Sequence, residues 1–532
     1  MRGIWNDHHK SLVLGLWLLA PGLAALSTDQ VQGAAASFSL LGLSLLLLVA
    51  PLVPLASPRR YFLLLTPLAL LVAPYCYLTL AYRSVPGDAL ISAVLNTNWS
   101  TSLAMLAAVG WIVWLVPLSL LIYIAVARSI SNNWRLPWEA RKRLLAGVLM
   151  YAMVGLAGRQ FLAQHVKLPP MFEDATISLA FPSGLATSLL RIGTKHVEQG
   201  QYASVHGRSE IGDEPLLVVM VVGETLRADH LGLYGYARNT TPLLSAMRDE
   251  LVTFPDVAST ANWTNGALPY LLSWQWQDGA AHSAPIVKTF SEAGFRTAWL
   301  SNQNGYSIGL GADVLDYISY FRERTDANLL PLFTSFLRQA GQRQFAVLHM
   351  YGSHSPYEYR YEAASRVFTP TMRDLGIETP RVADKQAVIN SYDNTVVETD
   401  KFLAGVIAEL RKEQRPAVML FTSDHGENLF DDERALWMHS MNYPTRADTH
   451  VPLLVWANNA YRQRFPQRMA ALQANRSRKL SHLQVFPTMM DLGGVAWDGR
   501  DARRSFASPQ FQESERIVQV DLGRVTDYEQ LK

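Results

Sequence analysis

Charge is distributed so unevenly along this 532-residue chain that it must fold as two different kinds of body. Only 15 charged residues fall in positions 1–160, whereas 77 fall in the remaining 372. The first part suits hydrocarbon and the second suits water. The net charge of +2 and the lack of a dense basic tract exclude a nucleic-acid partner from the expectations. The single cysteine, Cys76, sits in an apolar stretch. The water-soluble part can therefore hold neither a disulfide nor a thiolate metal site, and any metal there must be bound by oxygen and nitrogen.

Five apolar runs, at 11–27, 38–56, 61–82, 101–127 and 144–162, are separated by polar breaks. Measured against the roughly 20 residues that cross a ~30 Å hydrocarbon core, they predict an all-α bundle of five transmembrane helices over residues 1–162. The first run has only a weak cleavage site at Ala20-Pro21-Gly22 and reads as an uncleaved anchor. Arg2, Lys10, Arg59, Arg60, Arg128, Arg135, Arg141, Lys142 and Arg143 lie on one side of these spans and only Arg83 on the other. The positive-inside rule puts the N-terminus in the cytoplasm and all that follows the fifth helix outside it, in a bacterium the periplasm. Residues 163–207 read as a connector, broken at Leu168-Pro169-Pro170, with an Ile177–Ile192 stretch suited to lying on the membrane surface or to acting as a plain tether.

From 208 to 532 apolar strands alternate with helical patterns: Leu216–Val222, Phe295–Leu300, Phe345–Met350, Ala417–Phe421 and Leu453–Trp456, with Asn394–Glu413 at helical spacing. This alternation predicts an α/β domain, a mostly parallel sheet covered by helices on both faces. Ligands of such sheets sit at the carboxyl ends of the strands. Asp424 and His425 follow one strand and Glu224 another. A carboxylate beside an imidazole is an oxygen and nitrogen metal pair that needs further ligands from elsewhere. Thr264 heads a helical stretch, where a hydroxyl ordinarily caps; held against Zn²⁺ it becomes an alkoxide-like nucleophile instead. Glu224, Thr264, Asp424 and His425 then complete a tetrahedral set. His354 and His439 lie on loops after strands, where groups that stabilise charge or move protons at a phosphoryl centre belong.

These residues fall within motifs, in order Val222-Gly223-Glu224-Thr225-x-Arg227, Tyr234-Gly235-Tyr236-x-Arg238-x-Thr240-Thr241-Pro242, Thr264 five residues before Pro269, His349-x-x-Gly352-Ser353-His354, Tyr392-Asp393-Asn394 and Ser423-Asp424-His425-Gly426-Glu427. Together they resemble the bacterial inner-membrane phosphoethanolamine transferases of the alkaline phosphatase and sulfatase superfamily. The resemblance implies that 208–532 is a periplasmic, zinc-dependent catalytic domain of alkaline phosphatase-like fold. It implies one tight zinc held by Glu224, Thr264, Asp424 and His425, Thr264 as nucleophile, and His354 and His439 near the transferred group, where they could supply ligands for a second zinc. Phosphatidylethanolamine would be the donor, an envelope glycolipid such as lipid A or lipopolysaccharide core the acceptor, and the bilayer a partner of a monomeric enzyme. Members that act on lipid A often carry a lysine in the loop after the second strand; Asn302-Gln303-Asn304-Gly305-Tyr306 stands there, with Asn302 as the expected substrate contact. The disulfides of better-known members are missing, so packing must stiffen the loops.

A sulfatase nucleophile arises from a Cys or Ser in a C/S-x-P-x-R pattern, which the Thr264 region lacks. A phosphoglycerol transferase would share sheet and threonine and differ in donor. A hydrolase or phosphodiesterase would release its product to water. A silent scaffold would need a broken ligand set, and these four positions all hold competent ligands.

Overall fold

The computed structural model describes residues 2–28, 33–81, 85–87, 91, 113–157, 180–198, 205–275, 283–303, 317–320, 325–339, 341–439, 443–520 and 524–532. Residues 82, 101–112 and 158–162 of the expected spans, 163–179 and 199–204 of the connector, and Asn304, Gly305 and Tyr306 lie outside the described residues. The chain divides into two compact units, one of Met1–Leu95 and Val109–Thr194, the other containing Lys195–Lys532.

The first unit is helical. Along the five apolar runs lie α1 (Arg2–Ala25), α2 (Gly33–Val49), α3 (Pro58–Leu64) and α4 (Thr66–Ala81), α5 (Leu115–Ser129) and α6 (Trp138–Ala157). Leu14, Leu18, Leu43, Tyr61, Val72 and Tyr123 form its buried core. Among the described residues no single helix is long and apolar enough to cross a membrane; the α3–α4 pair meets that test only together, across a 59° bend. The breaks around α2, α3 and α4 have local causes. Pro67 lacks an amide donor and restricts Thr66, which breaks the third run, and Pro51 and Pro54 follow the end of α2. Glu139, Arg141, Lys142 and Arg143 occupy the first turns of α6. In the connector, α7 (Ser183–Glu198) starts just after Pro182 and exposes Leu189 and Leu190.

The second unit is built on seven strands: β1 (Leu216–Gly223), β2 (Leu251–Phe254), β3 (Arg296–Ser301), β4 (Tyr317–Tyr320), β5 (Arg343–His349), β6 (Ala417–Ser423) and β7 (Leu453–Ala457). They pair in the spatial order β2-β7-β6-β1-β5-β3-β4. All of β1 is buried, because its alternate residues feed two separate cores: Leu216, Val218, Met220 and Val222 one, Leu217, Val219 and Val221 the other. Each such side chain stabilises the fold by about 1.5–3 kcal/mol. On one face packs α10 (Val485–Gly493), through Phe486, Met489 and Met490. On the other packs α9 (Lys385–Leu410), through Tyr392, Val396, Leu403 and Ile407. α8 (Thr264–Leu272) carries Leu268, Leu271 and Leu272 into the first core.

β6, β1, β5, β3 and β4 run parallel, as the alternation predicts, but β7 is antiparallel to both β6 and β2. Among the described residues of 424–452 the one helix is the four-residue Arg446–Thr449, beside a small ribbon of Asn428–Leu429 and Trp437–Met438, and none of these carries the chain back across the sheet before β7 begins beside the end of β6. The edge strands β2 and β4 are additions to the five expected. Helix α9 starts nine residues before Asn394. Its early turns bury Asn390, Ser391, Asp393 and Asn394, polar side chains that a hydrophobic period cannot register. These residues grip a neighbouring loop: Asn394 Oδ1 accepts from the amides of Val367 and Phe368 at 2.8 Å each, and Ser391 Oγ accepts from Met372 N at 2.9 Å. Buried hydrogen bonds thus stiffen a loop for which the sequence offers no disulfide.

Candidate metal centre

Strand register delivers the first residues of the site. Gly223 lies beside Ser423, Val222 beside His349, and Ser301 beside His349. The next residues out, Glu224, Asp424, Met350 and Asn302, therefore share the carboxyl edge of the sheet, and Asp424 N still donates to Gly223 O at 3.1 Å. Thr264 arrives from another direction as the first residue of α8, with Trp263 in the capping position. Its hydroxyl does not cap. Thr264 Oγ1 lies 3.2 Å from each oxygen of Glu224 and 3.4 Å from His425 Nε2.

Glu224, Asp424 and His425 are buried and offer ligand atoms within 4.8 Å of one another. His425 Nε2 is 3.2 Å from Glu224 Oε1 and 3.5 Å from Asp424 Oδ2. His425 Nδ1 is engaged with Gly426 O at 2.8 Å, which reserves Nε2 for the centre. Asp424 Oδ1 accepts from the amides of Thr225 and His425, whereas the buried Oδ2 accepts no hydrogen bond among the described residues. Burial, and then the charge of Glu224, lift Asp424 up to about 8. Burial opposes a charged His425, yet Asp424 and Glu224 push it up to about 10. Burial also opposes the Glu224 anion, but the hydrogen bond and charge of His425 hold it well below the usual carboxylate range. Two buried carboxylates facing one another attract a cation between them. Two carboxylates, an imidazole nitrogen and a hydroxyl, with one carboxylate oxygen that has no donor among the described residues, fit a divalent ion such as zinc.

His354 and His439 come to the same place, each with a ring nitrogen in a second cluster around Glu224, again within 4.8 Å. The Nδ1 of His354 meets Ser355 O at 2.5 Å and that of His439 meets Glu427 Oε1 at 3.0 Å, leaving Nε2 of each ring for the cluster. Burial drives His354 down to about 4 and His439 down to about 3, so both are neutral at pH 7.

Asn302, the expected substrate contact, is fully buried and spends its amide on Thr325 O at 3.0 Å and Asp326 Oδ1 at 2.8 Å. Asp326 in turn accepts from the amides of Tyr351 and Gly352. The side-chain amide of Asn302 thus points to Thr325 and Asp326, whereas its neighbour faces the centre. Gln303 Nε2 donates to Glu224 Oε2 at 2.8 Å and to Met350 O at 2.7 Å. Sequence reasoning also passed over Glu427, whose Oε2 accepts from the Tyr357 hydroxyl while Oε1 faces His439. Its place two residues after His425 was the available signal; Gln303 offered none beyond adjacency to Asn302.

The sulfatase family model matches residues 217–495, more than half of the chain and every group just described. The chain belongs to the sulfatase family. A curated relative of this family member, phosphoethanolamine transferase EptA of Salmonella typhimurium, is 30% identical over 309 residues, 53% of this chain and 54% of that one. The chain thus spans about half the length of this curated relative. Among solved structures, the integral membrane protein lipooligosaccharide phosphoethanolamine transferase A (EptA) from Neisseria meningitidis is similar in fold, with a TM-score of 0.72 and 24% identity over 94% of this chain and 97% of that one. The C-terminal periplasmic domain of EcEptC from Escherichia coli, in complex with Zn, matches at a TM-score of 0.56 and 24% identity, covering 62% of this chain and 98% of that one.

Proposed function

We propose that this chain is a zinc-dependent transferase that moves phosphoethanolamine from phosphatidylethanolamine, by way of Thr264, to a hydroxyl or phosphate of an envelope glycolipid such as lipid A or lipopolysaccharide core. The observation that carries this reading is the meeting of the Thr264 hydroxyl with Glu224 and His425 beside an Asp424 oxygen that accepts no hydrogen bond among the described residues. Glu224, Thr264, Asp424 and His425 would hold the zinc, which when bound makes a threonine hydroxyl acidic enough to attack phosphorus. Thr264 Oγ1 forms a bond to phosphorus as the bond to the diacylglycerol oxygen breaks. The neutral imidazoles of His354 and His439 are the bases in this cluster that can carry the Thr264 proton to the departing oxygen. An acceptor oxygen then attacks the phosphothreonine, and Thr264 is regenerated. The α8 N-terminus, where Thr264 stands, favours the negative charge of the phosphoryl group. Where a further zinc is held by Glu224, His354 and His439, those imidazoles act as its ligands and not as proton carriers.

Residues 1–162 would anchor the enzyme in the inner membrane through five helical passes, with the N-terminus cytoplasmic, 163–207 connecting, and 208–532 in the periplasm. Leu12, Leu16, Leu64, Leu121, Met150 and Met153 support this, because helices of the first unit turn them outward, as lipid requires. Purified full-length enzyme in detergent, given labelled phosphatidylethanolamine or phosphatidylglycerol, tests the reading. Label should pass from phosphatidylethanolamine alone to lipid A, stop on chelation and return with zinc. Thr264→Ala should abolish it, and mass spectrometry of wild type quenched without acceptor should find phosphoethanolamine on Thr264. Preference for phosphatidylglycerol, release to water alone, or full transfer by Thr264→Ala would overturn the assignment.

A further inference from the structure

Thr225 follows Glu224 with a φ of +60°, a left-handed conformation that β-branched residues rarely adopt and that glycine or asparagine takes more easily. It is fully buried. Its hydroxyl donates to Glu224 Oε1 at 2.7 Å, and its amide donates to Asp424 Oδ1 at 3.1 Å. One residue thus ties one oxygen of each carboxylate in the metal centre. The strained turn is held from both sides: the Tyr392 hydroxyl donates to Thr225 O at 2.8 Å and accepts from Arg227 N at 2.9 Å, while Leu226 N donates to Ser423 Oγ at 2.9 Å. Backbone strain so over-determined accumulates at sites that must be preorganised. A glycine would relieve it but could not bind Glu224.

We propose that Thr225 is a positioning residue: its left-handed backbone aims the amide at Asp424 and the hydroxyl at Glu224, fixing the spacing of the two carboxylates before a divalent cation binds. The strain is tolerated for the sake of the hydroxyl. Each carboxylate keeps lone pairs for the metal, since a hydrogen bond occupies only part of an oxygen's accepting capacity. This inference rests on the metal reading of the site given above.

The test compares zinc affinity, by competition with a chromogenic chelator, and the melting temperature of the zinc-free form, in full-length wild type, Thr225→Ser, Thr225→Ala and Thr225→Gly. Thr225→Ser keeps the hydroxyl and should retain most of the zinc affinity. Thr225→Ala keeps the strain without the hydroxyl and should bind zinc about 10–100-fold more weakly, the usual cost of losing an outer hydrogen bond to a ligand. Thr225→Gly should bind zinc no better than Thr225→Ala yet melt above it in the zinc-free form. A residue that merely stabilised the fold would lower melting and leave affinity alone. Equal affinity in Thr225→Ala and Thr225→Ser, or a Thr225→Gly that melts no higher than Thr225→Ala, would overturn the proposal. Should Thr225→Ala not fold, Thr225→Gly serves the same comparison with Thr225→Ser, since it too lacks the hydroxyl. A wild type that binds no zinc fails the metal reading itself, and this inference with it.

Discussion

Gly352 stands where a single methyl group should do measurable harm. It precedes Ser353, whose amide donates to Glu224 O at 2.9 Å, and its own amide is held by Asp326 Oδ2 at 2.9 Å. Its φ is +50°, and a Cβ placed on it would lie 2.6 Å from Glu224 O and 2.9 Å from Glu224 N, both backbone atoms. Gly376 has a similar φ of +62° and open space around the same position. In Gly376→Ala only the left-handed conformation is penalised, by roughly 1–2 kcal/mol, less the roughly 0.4–1 kcal/mol gained by restricting the unfolded chain. That nets to about 1 kcal/mol, or roughly 1–2 °C in a unit of this size. Gly352→Ala carries the same penalty plus overpacking of about 1–3 kcal/mol. The contact can open only if Glu224 or the 351–354 loop shifts, and a displacement of order 1 Å at a reacting centre costs about 10²-fold in rate. Calorimetry of the two full-length variants, with zinc titration and transfer from labelled phosphatidylethanolamine, separates strain from displacement. Gly376→Ala should lose about 1 kcal/mol and keep its zinc affinity and rate. Gly352→Ala should lose more stability and most of both functions. If the two variants behave alike, close approach to Glu224 is not what position 352 contributes.

Removing the buried Asp393 carboxylate strands His230, Tyr236 and Arg238, which meet it at 2.7, 3.0 and 2.8 Å, so Asp393→Ala should cost about 3–5 kcal/mol in denaturant unfolding, and a loss under ~1 kcal/mol would contradict that. Gln303→Ala should weaken zinc binding about 10-fold through the lost hold on Glu224 Oε2, which chelator competition measures; unchanged affinity would show that the amide does not tune the ligand. Burial lifts Asp400 to about 6 against its acceptance of the Leu243 and Leu244 amides. The folded form therefore binds its proton more tightly than the unfolded form, so stability due to this group is full below about pH 4 and is lost as pH rises through 6, by roughly 3 kcal/mol. Unfolding free energies of wild type and Asp400→Asn across pH 4–7 should shift relative to one another by about that amount in favour of the variant. A constant gap would mean Asp400 titrates normally.

A hydroxyl residue followed by proline, as at Thr241-Pro242, is the local pattern of a helix start with the hydroxyl as cap. Pro242 does open a helix behind Thr241, but the capping oxygens come from Asp400, because Thr241 Oγ1 is taken by Leu233 N at 2.7 Å. Thr264 likewise heads a helix as a capping residue would, and of the two roles its position allows, cap or ligand, the contacts with distant Glu224 and His425 select the second.

The sequence alone determined what is local: the contrast between apolar and charged halves, the strands that carry Glu224 and Asp424 to their polar ends, and the helix that starts at Thr264. Those follow from side-chain periodicity and chain direction, which neighbours along the chain settle among themselves. Tertiary structure decided the rest. Whether Asn302 or Gln303 turns toward Glu224 depends on Asp326, and the left-handed turn of Thr225 depends on Asp424 and Tyr392, 199 and 167 residues away. β7 reverses because, among the described residues, no helix carries its chain across the sheet, and α9 extends because the buried polar residues of its early turns find partners in the neighbouring 367–372 loop. Orientation within a loop and tolerance of strain are set by contacts between remote segments, which no window of sequence contains.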